Sequence, residues 1–385
     1  MPEKPINLSL LLPNVFALIF HAINLYLFGL AISGEHAVIL AWSAIISTIF
    51  CLRGDVTLLS SELKAASANF FYGCVTILLI LSVVTFYSIT FFANTPVNYY
   101  KFILCGALYA FVELIAALYL KKGNVEKFVF IKSYYYPCFT VALYVDSSFA
   151  VIDLWLLVLS ISLVFVAKEL IITTRRVDLI QTGIVLVYLK HFRDGFLPAV
   201  ANTLVTILSN VPVVLIGALH GSQSAGLWIN LYRIIITPFF YYCSAAQFKL
   251  LEAVSAKKYK SNKVRCGRLL WVSFEKKFWL ITILVSMFIL FFLSNTDLFL
   301  SEFLHLMCLA IVTYGMSRII LQFFETISQV VGRSVLVITV LFVESLIIAV
   351  FFIFSPVSIS STFYFIFSLS TLNYIGIRFL LFSFR

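Results

Sequence analysis

Charge is scarce in this chain. Only 11% of its 385 residues are Asp, Glu, Lys or Arg, against about 25% in an ordinary soluble domain. With 62% of the residues hydrophobic, a soluble fold is excluded, because its core could not hide so much apolar surface. Cysteine is sparse as well. The seven cysteines are an odd number and scatter singly, with Cys74, Cys105, Cys138, Cys243 and Cys308 in apolar runs. None has C-x-x-C spacing, so neither a disulfide framework nor a zinc site is indicated. There is no G-x-x-x-x-G-K-[ST] phosphate loop, hence no ATPase of that kind, and no H-E-x-x-H or G-x-S-x-G. Nothing in the sequence calls for a cofactor or a metal.

What is present is a succession of apolar runs about 20 residues long, the length that crosses a bilayer as a helix. They are continuous rather than alternating, which excludes a β-barrel. The chain reads as an all-α polytopic membrane protein. Lys4 precedes a long apolar run without a small-residue cleavage site, so the start reads as an uncleaved first span. Spans are expected at about Leu8–Ile32 and Ala37–Leu52, with a turn at Ser33–His36 between them. The next follow at about Asn69–Ala93, Tyr100–Leu120, from Lys132 to Val145, and from Asp153 to Ile172. Thr173–Asp194 is a break whose middle could form an interfacial helix. Beyond it, spans seven and eight flank a tiny turn at His220–Gly226, and a basic segment covers Leu250–Lys277. Spans nine to twelve are expected at about Phe278–Leu293, Phe303–Ile327, Val335–Phe354 and Ser361–Leu381.

About twelve spans result, with residues 1–172 as one six-helix lobe, 173–194 as a cytosolic linker and 195–385 as the second lobe. With the N-terminus inside, nearly every Lys and Arg falls at a cytosolic end, as the positive-inside rule requires. Lys101 falls at an outer end, and Arg233 and Arg318 fall within the membrane. The formal charge of +10 is therefore mostly topology, and no nucleic-acid partner is implied. The cluster Lys257–Arg268 reads as a lipid-facing patch and Tyr134–Tyr136 as an interfacial aromatic belt. The outer turns are too short to hold an enzyme domain. Leu12-Pro13 opens span one and Leu197-Pro198 opens span seven, each followed by a polar-striped span and a glycine-containing turn. Six spans plus six from the same side is a parallel repeat with pseudo-two-fold symmetry, which places a substrate path between the halves.

The candidate functional residues are the polar stripes. Asn14, His21 and Asn24 share an arc of span one; Asn202 and Asn210, with Thr206 and Ser209, stripe span seven; Asn230 and Arg233 stripe span eight. Tyr314, Arg318, Gln322, Glu325 and Gln329 make the widest stripe, on span ten. A cation at membrane depth costs roughly 2.5–3.5 kcal/mol on insertion scales, so it faces a cavity or a partner. Glu113 at the middle of span four, Glu325 and Glu344 are carboxylates suited to coupling a proton or sodium ion. Pairing of Arg318 with Glu344, and helix–helix hydrogen bonding by the stripes, are the structural alternatives.

The stretch Leu197–Leu250 carries Asn202, then Ser224-Ala225-Gly226-Leu227-Trp228, then Tyr232-Arg233-Ile234 with Pro238 a few residues on. In this it resembles the polysaccharide exporters of the multidrug/oligosaccharidyl-lipid/polysaccharide flippase superfamily. The resemblance implies a MATE-like pair of six-helix lobes and an O-antigen (Wzx-type) flippase in the bacterial inner membrane, with both termini cytosolic. Its cargo would be an undecaprenyl-diphosphate-linked oligosaccharide, driven by H+ or Na+. Its surroundings would be membrane lipids, a polysaccharide polymerase and a chain-length regulator. Arg suits phosphate geometry, so Arg233 and Arg318 would meet the diphosphate. The amides and His21 would meet sugars. The rival readings are a multidrug extruder of the same superfamily, a polysaccharide polymerase or glycosyltransferase, and a scaffold without transport of its own.

Overall fold

The computed structural model describes residues 12–51, 58, 63–91, 97–146, 150–176, 182–236, 275, 301–331, 334–354 and 358–383. Eleven helices occupy nearly all of them. They are α1 (Leu12–Cys51), α2 (Leu63–Phe91), α3 (Val97–Lys121), α4 (Val125–Ser133), α5 (Tyr135–Val145) and α6 (Val151–Ser160). α7 (Ser162–Arg176), α8 (Thr182–Ile235), α9 (Ser301–Val331), α10 (Ser334–Phe354) and α11 (Ile359–Ser383) complete the series. No strand occurs among the described residues. Continuous apolar sequence leaves the backbone one way to satisfy its N–H and C=O groups in hydrocarbon, and that is within the helix.

α1 is two spans. Gly29 interrupts it with φ 79° and ψ −178°, a conformation open essentially to glycine alone. The turn expected at Ser33–His36 therefore lies earlier. Ser33 and His36 are buried inside the second arm. Their polarity imitates a turn, whereas Gly29, set in an apolar run, makes it. α8 is broken in the same way at Gly221, with φ 82° and ψ 167°, inside the expected His220–Gly226. α8 also shows that the segment from Thr182 onward is helical and runs without a break into span seven.

Pro137 explains why α4 and α5 are separate elements. A proline lacks the N–H that would bond the carbonyl four residues back and crowds that carbonyl, so the helix resets at Tyr134, which keeps helical angles (φ −59°, ψ −32°). α4–α5 thus make one span, and α6–α7, reset at Ile161, make another. Near that reset the hydroxyls of Ser160 and Ser162 donate to the carbonyls of Leu157 and Leu159. Eleven of the twelve expected spans are seen. Span nine and the Lys257–Arg268 cluster lie outside the described residues.

By compactness the chain divides into Met1–Val214 and Leu215–Arg385. In the first unit α3 is the central helix, packing on α1, α2, α4, α6 and α7. Small residues allow this. A Cβ on Gly106 would come within 2.3 Å of Ile46 on α1, and one on Gly73 within 2.8 Å of Leu114. Small residues at helix contacts are how membrane helices approach closely without a hydrophobic driving force. In the second unit α9 packs mainly on α11 and also on α10. Gly315 on α9 faces Ile236, whose side chain would lie 2.4 Å from an added Cβ.

Candidate functional site

Two polar clusters are buried, one in each unit. In the first unit His21 and His36 lie eight and seven residues either side of Gly29. A straight helix would separate them by roughly 22 Å at 1.5 Å per residue. Instead their rings are 4.7 Å apart, because Gly29 folds the two arms of α1 back on each other. The His36 ring meets Phe139 and Trp155 edge-on at 4.6 and 4.9 Å, and the His21 ring meets Tyr136 at 5.6 Å. One turn along α1, Asn24 Oδ1 accepts a 2.8 Å hydrogen bond from the Thr140 hydroxyl of α5. His21, Asn24 and His36 are all buried.

In the same unit, Glu113 of α3 forms an ion pair with Lys132 of α4. Tyr109, one turn before Glu113, packs against Tyr135 at 6.1 Å. Lys132 was expected at the margin of span five. α4 starts at Val125, capped by Asn124, whose side chain accepts from the Lys127 amide, so Lys132 stands two turns inside the helix. The same shift corrects the reading of Tyr134–Tyr136 as an interfacial belt. Tyr134 and Tyr135 are buried, with Tyr135 against Trp155 and the Tyr134 hydroxyl donating to the Val158 carbonyl at 3.3 Å.

In the second unit Trp228, seven residues past Gly221, stacks on Phe363 of α11 at 5.6 Å and meets Tyr314 of α9 at 6.1 Å. His220 Nε2 lies 3.0 Å from the Thr362 hydroxyl. Arg318, one turn after Tyr314, lies over the Tyr314 ring at 5.1 Å and pairs with Glu344 of α10. The side chains of this pair are 2% and 3% exposed.

The two units repeat one plan. His36 and Trp228 each stand seven residues past the glycine break. Each packs on an aromatic ring, Trp155 or Phe363, four residues past the first residue of α6 or α11. Tyr109-x-x-x-Glu113 on α3 matches Tyr314-x-x-x-Arg318 on α9. The ion pairs are inverted in sign: acid on α3 and base on α4 in the first unit, base on α9 and acid on α10 in the second.

The other candidates are distributed as follows. Asn210 and Asn230 each donate a side-chain hydrogen bond to the carbonyl one turn earlier in α8, at Thr206 (2.8 Å) and Gly226 (2.7 Å). Asn230 is buried and Arg233 half-buried. Asn14 on α1, Asn202 on α8, and Gln322 and Glu325 on α9 are described by their backbone alone. Residues that the polar stripes did not reveal are His36, Thr140 and Lys132 in the first unit and Thr362 in the second. Two further bridges lie at opposite ends of α3, Lys101–Asp153 at 2.6 Å and, from the residue just past the helix, Lys122–Glu169 at 2.7 Å. Glu275 pairs with Arg378 of α11 at 3.1 Å. Among the described residues no group of three or more His, Cys, Asp or Glu could hold a metal ion.

This defines a polytopic all-helical membrane protein whose two units share a plan of spans and aromatic contacts among the described residues. No protein-family model matches the chain, and no curated protein matches it in sequence. In three dimensions it is similar to a multidrug resistance MATE family transporter of the MOP superfamily in its outward-facing conformation. The TM-score is 0.52, over 98% of this chain and 93% of that one, at 12% identity. A MOP superfamily transporter from Pyrococcus furiosus, for which a reverse polarity of the binding pocket suggests a different function, gives a TM-score of 0.47 at 13% identity. It covers 97% of this chain and 92% of that one. The first likeness shows that the chain has the MATE-type fold.

Proposed function

We propose that the protein is a flippase carrying an undecaprenyl-diphosphate-linked oligosaccharide from the cytosolic to the periplasmic leaflet of a bacterial inner membrane. The lobes of this reading are residues 1–172 and 195–385, joined by 173–194, with both termini cytosolic. The observation that carries it is the state of the carboxylates. Glu169, Glu275 and Glu344, buried, and Glu113 and Asp153, half-buried, are each engaged by a Lys or Arg. A site for cationic drugs needs an acid left uncompensated, and these five are compensated, whereas a diphosphate needs cations. Arg233 supplies one on span eight. Arg318 supplies a second whenever Glu344 takes up an ion in its place.

That exchange suggests how a gradient of H+ or Na+ is coupled. Glu113 and Glu344 each hold a basic partner, so an ion captured by the carboxylate releases Lys132 or Arg318 toward an anion. Glu325 is the third carboxylate of this reading. Asn14, His21, Asn24, Asn202, Asn210, Asn230 and Gln322 are its sugar-binding groups, and a polysaccharide polymerase and chain-length regulator are its protein partners. The test is deletion of the gene with lipid-linked repeat units assayed on each leaflet. Single units accumulating on the cytosolic face support flipping. Units that reach the outer leaflet but stay unpolymerised point to a polymerase. Unchanged polysaccharide with raised drug susceptibility sinks the proposal in favour of the multidrug extruder, the second reading, which the MATE-type fold favours.

A further inference from the structure

The outer side of α10 and α11 carries a cavity of about 410 Å³. Its wall is mostly apolar, with Val343, Ile347, Phe365 and Leu372 prominent, but Glu344 and Asn373 are part of it. It spans Thr339 to Ile347 on α10, roughly 12 Å of helix at 1.5 Å per residue, around the middle of that helix. Val343, Ile347 and Leu372 are exposed, as are Phe342, Leu346 and Ile375 nearby. A rim of such residues faces hydrocarbon rather than water.

Two atoms of the wall residues are incompatible with hydrocarbon. Glu344 is 3% exposed, and its Oε2 has no hydrogen-bond partner among the described residues, although Oε1 is held by Arg318. Asn373 Nδ2 is likewise buried without one. An unsatisfied polar atom at membrane depth costs several kcal/mol, and no acyl chain can relieve it. Because Arg318 already neutralises Glu344, the cavity does not call for a second charge. It calls for a small group that donates to a carboxylate oxygen or accepts from an amide, attached to an apolar body. A hydroxyl does both.

We propose that the seam between α10 and α11 is a binding site for a long-chain alcohol entering from the bilayer. The alcohol's hydroxyl donates to Glu344 Oε2 and accepts from Asn373 Nδ2, and its hydrocarbon lies along Val343, Ile347, Phe365 and Leu372. The site is independent of which cargo the protein moves.

The experiment is photolabelling of the purified full chain in nanodiscs. The probe is a hexadecanol bearing a mid-chain diazirine, compared with its methyl ether, and adducts are mapped by mass spectrometry. The alcohol should label α10 and α11 about tenfold more than the ether, the factor that a hydrogen bond of roughly 1.4 kcal/mol supplies. Asn373→Leu, which leaves the Arg318–Glu344 pair intact, should lower labelling several-fold. Glu344→Gln in a folded preparation should also lower it. Equal labelling by alcohol and ether, or labelling indifferent to Asn373→Leu, overturns the proposal and leaves the seam filled by ordinary lipid.

Discussion

Removing one member of the Arg318–Glu344 pair strands the other as a buried charge. Breaking a buried pair from one side costs about 3–5 kcal/mol, whereas replacing both members by apolar groups of similar volume is often near neutral. Arg318→Met and Glu344→Leu are therefore each expected to lower the melting temperature in detergent sharply. The double variant should recover most of the loss. Equal melting of the singles and the wild type would mean that the pair is not formed. Glu113 and Lys132 are 26% and 23% exposed at their side chains, so the same series there should give smaller steps. Their pairing also shows why Lys132 escaped the sequence reading. Gly123-Asn124 is a helix-start signal, and placing the start there sets Lys132 on the inner turns, but basic charge near a span end suggests a margin.

Among elements, α3 is the helix on which the first unit depends. Its contact with α1 is set by Gly106 against Ile46, where even a methyl group does not fit. Gly106→Ala should destabilise by about 1–3 kcal/mol, the usual cost of overpacking, read as thermal unfolding in detergent. Adding Ile46→Ala should restore much of it. A Gly106→Ala protein as stable as wild type would show that α1 and α3 are not in this contact. The glycine breaks in α1 and α8 act at the same scale. Each converts one long helix into a pair of spans, and in α1 the fold-back brings His21 to His36. The sequence offered several glycines near each turn, and only the backbone dihedrals distinguish Gly29 from Gly34.

For the whole molecule, the placement of basic residues predicts sidedness. In a background with the native cysteines replaced, Lys127→Cys should react with a membrane-impermeant maleimide only after the cells are opened. Lys101→Cys should react in intact cells. The reverse pattern would invert the topology and with it the direction of transport. The sign inversion between the two ion pairs is a property of the same scale. The units share a plan of spans and aromatic contacts, but they place acid and base on opposite helices.

The sequence by itself determined the class of the molecule. Helical runs long enough to span a bilayer, bounded by short turns and sorted basic residues, admit no other architecture, because hydrocarbon tolerates no unsatisfied backbone. It also supplied the order of the described spans, His21, Asn24, Arg318 and Glu344 as polar groups within them, and the Arg318–Glu344 pairing as one of two alternatives. What the tertiary structure decided is which groups meet. His36 with His21, Thr140 with Asn24, and Lys132 with Glu113 join residues 15, 116 and 19 positions apart. Helical periodicity assigns a residue to a face, but which neighbouring helix covers that face follows from close packing at positions such as Gly106 and from where a glycine lets the chain turn.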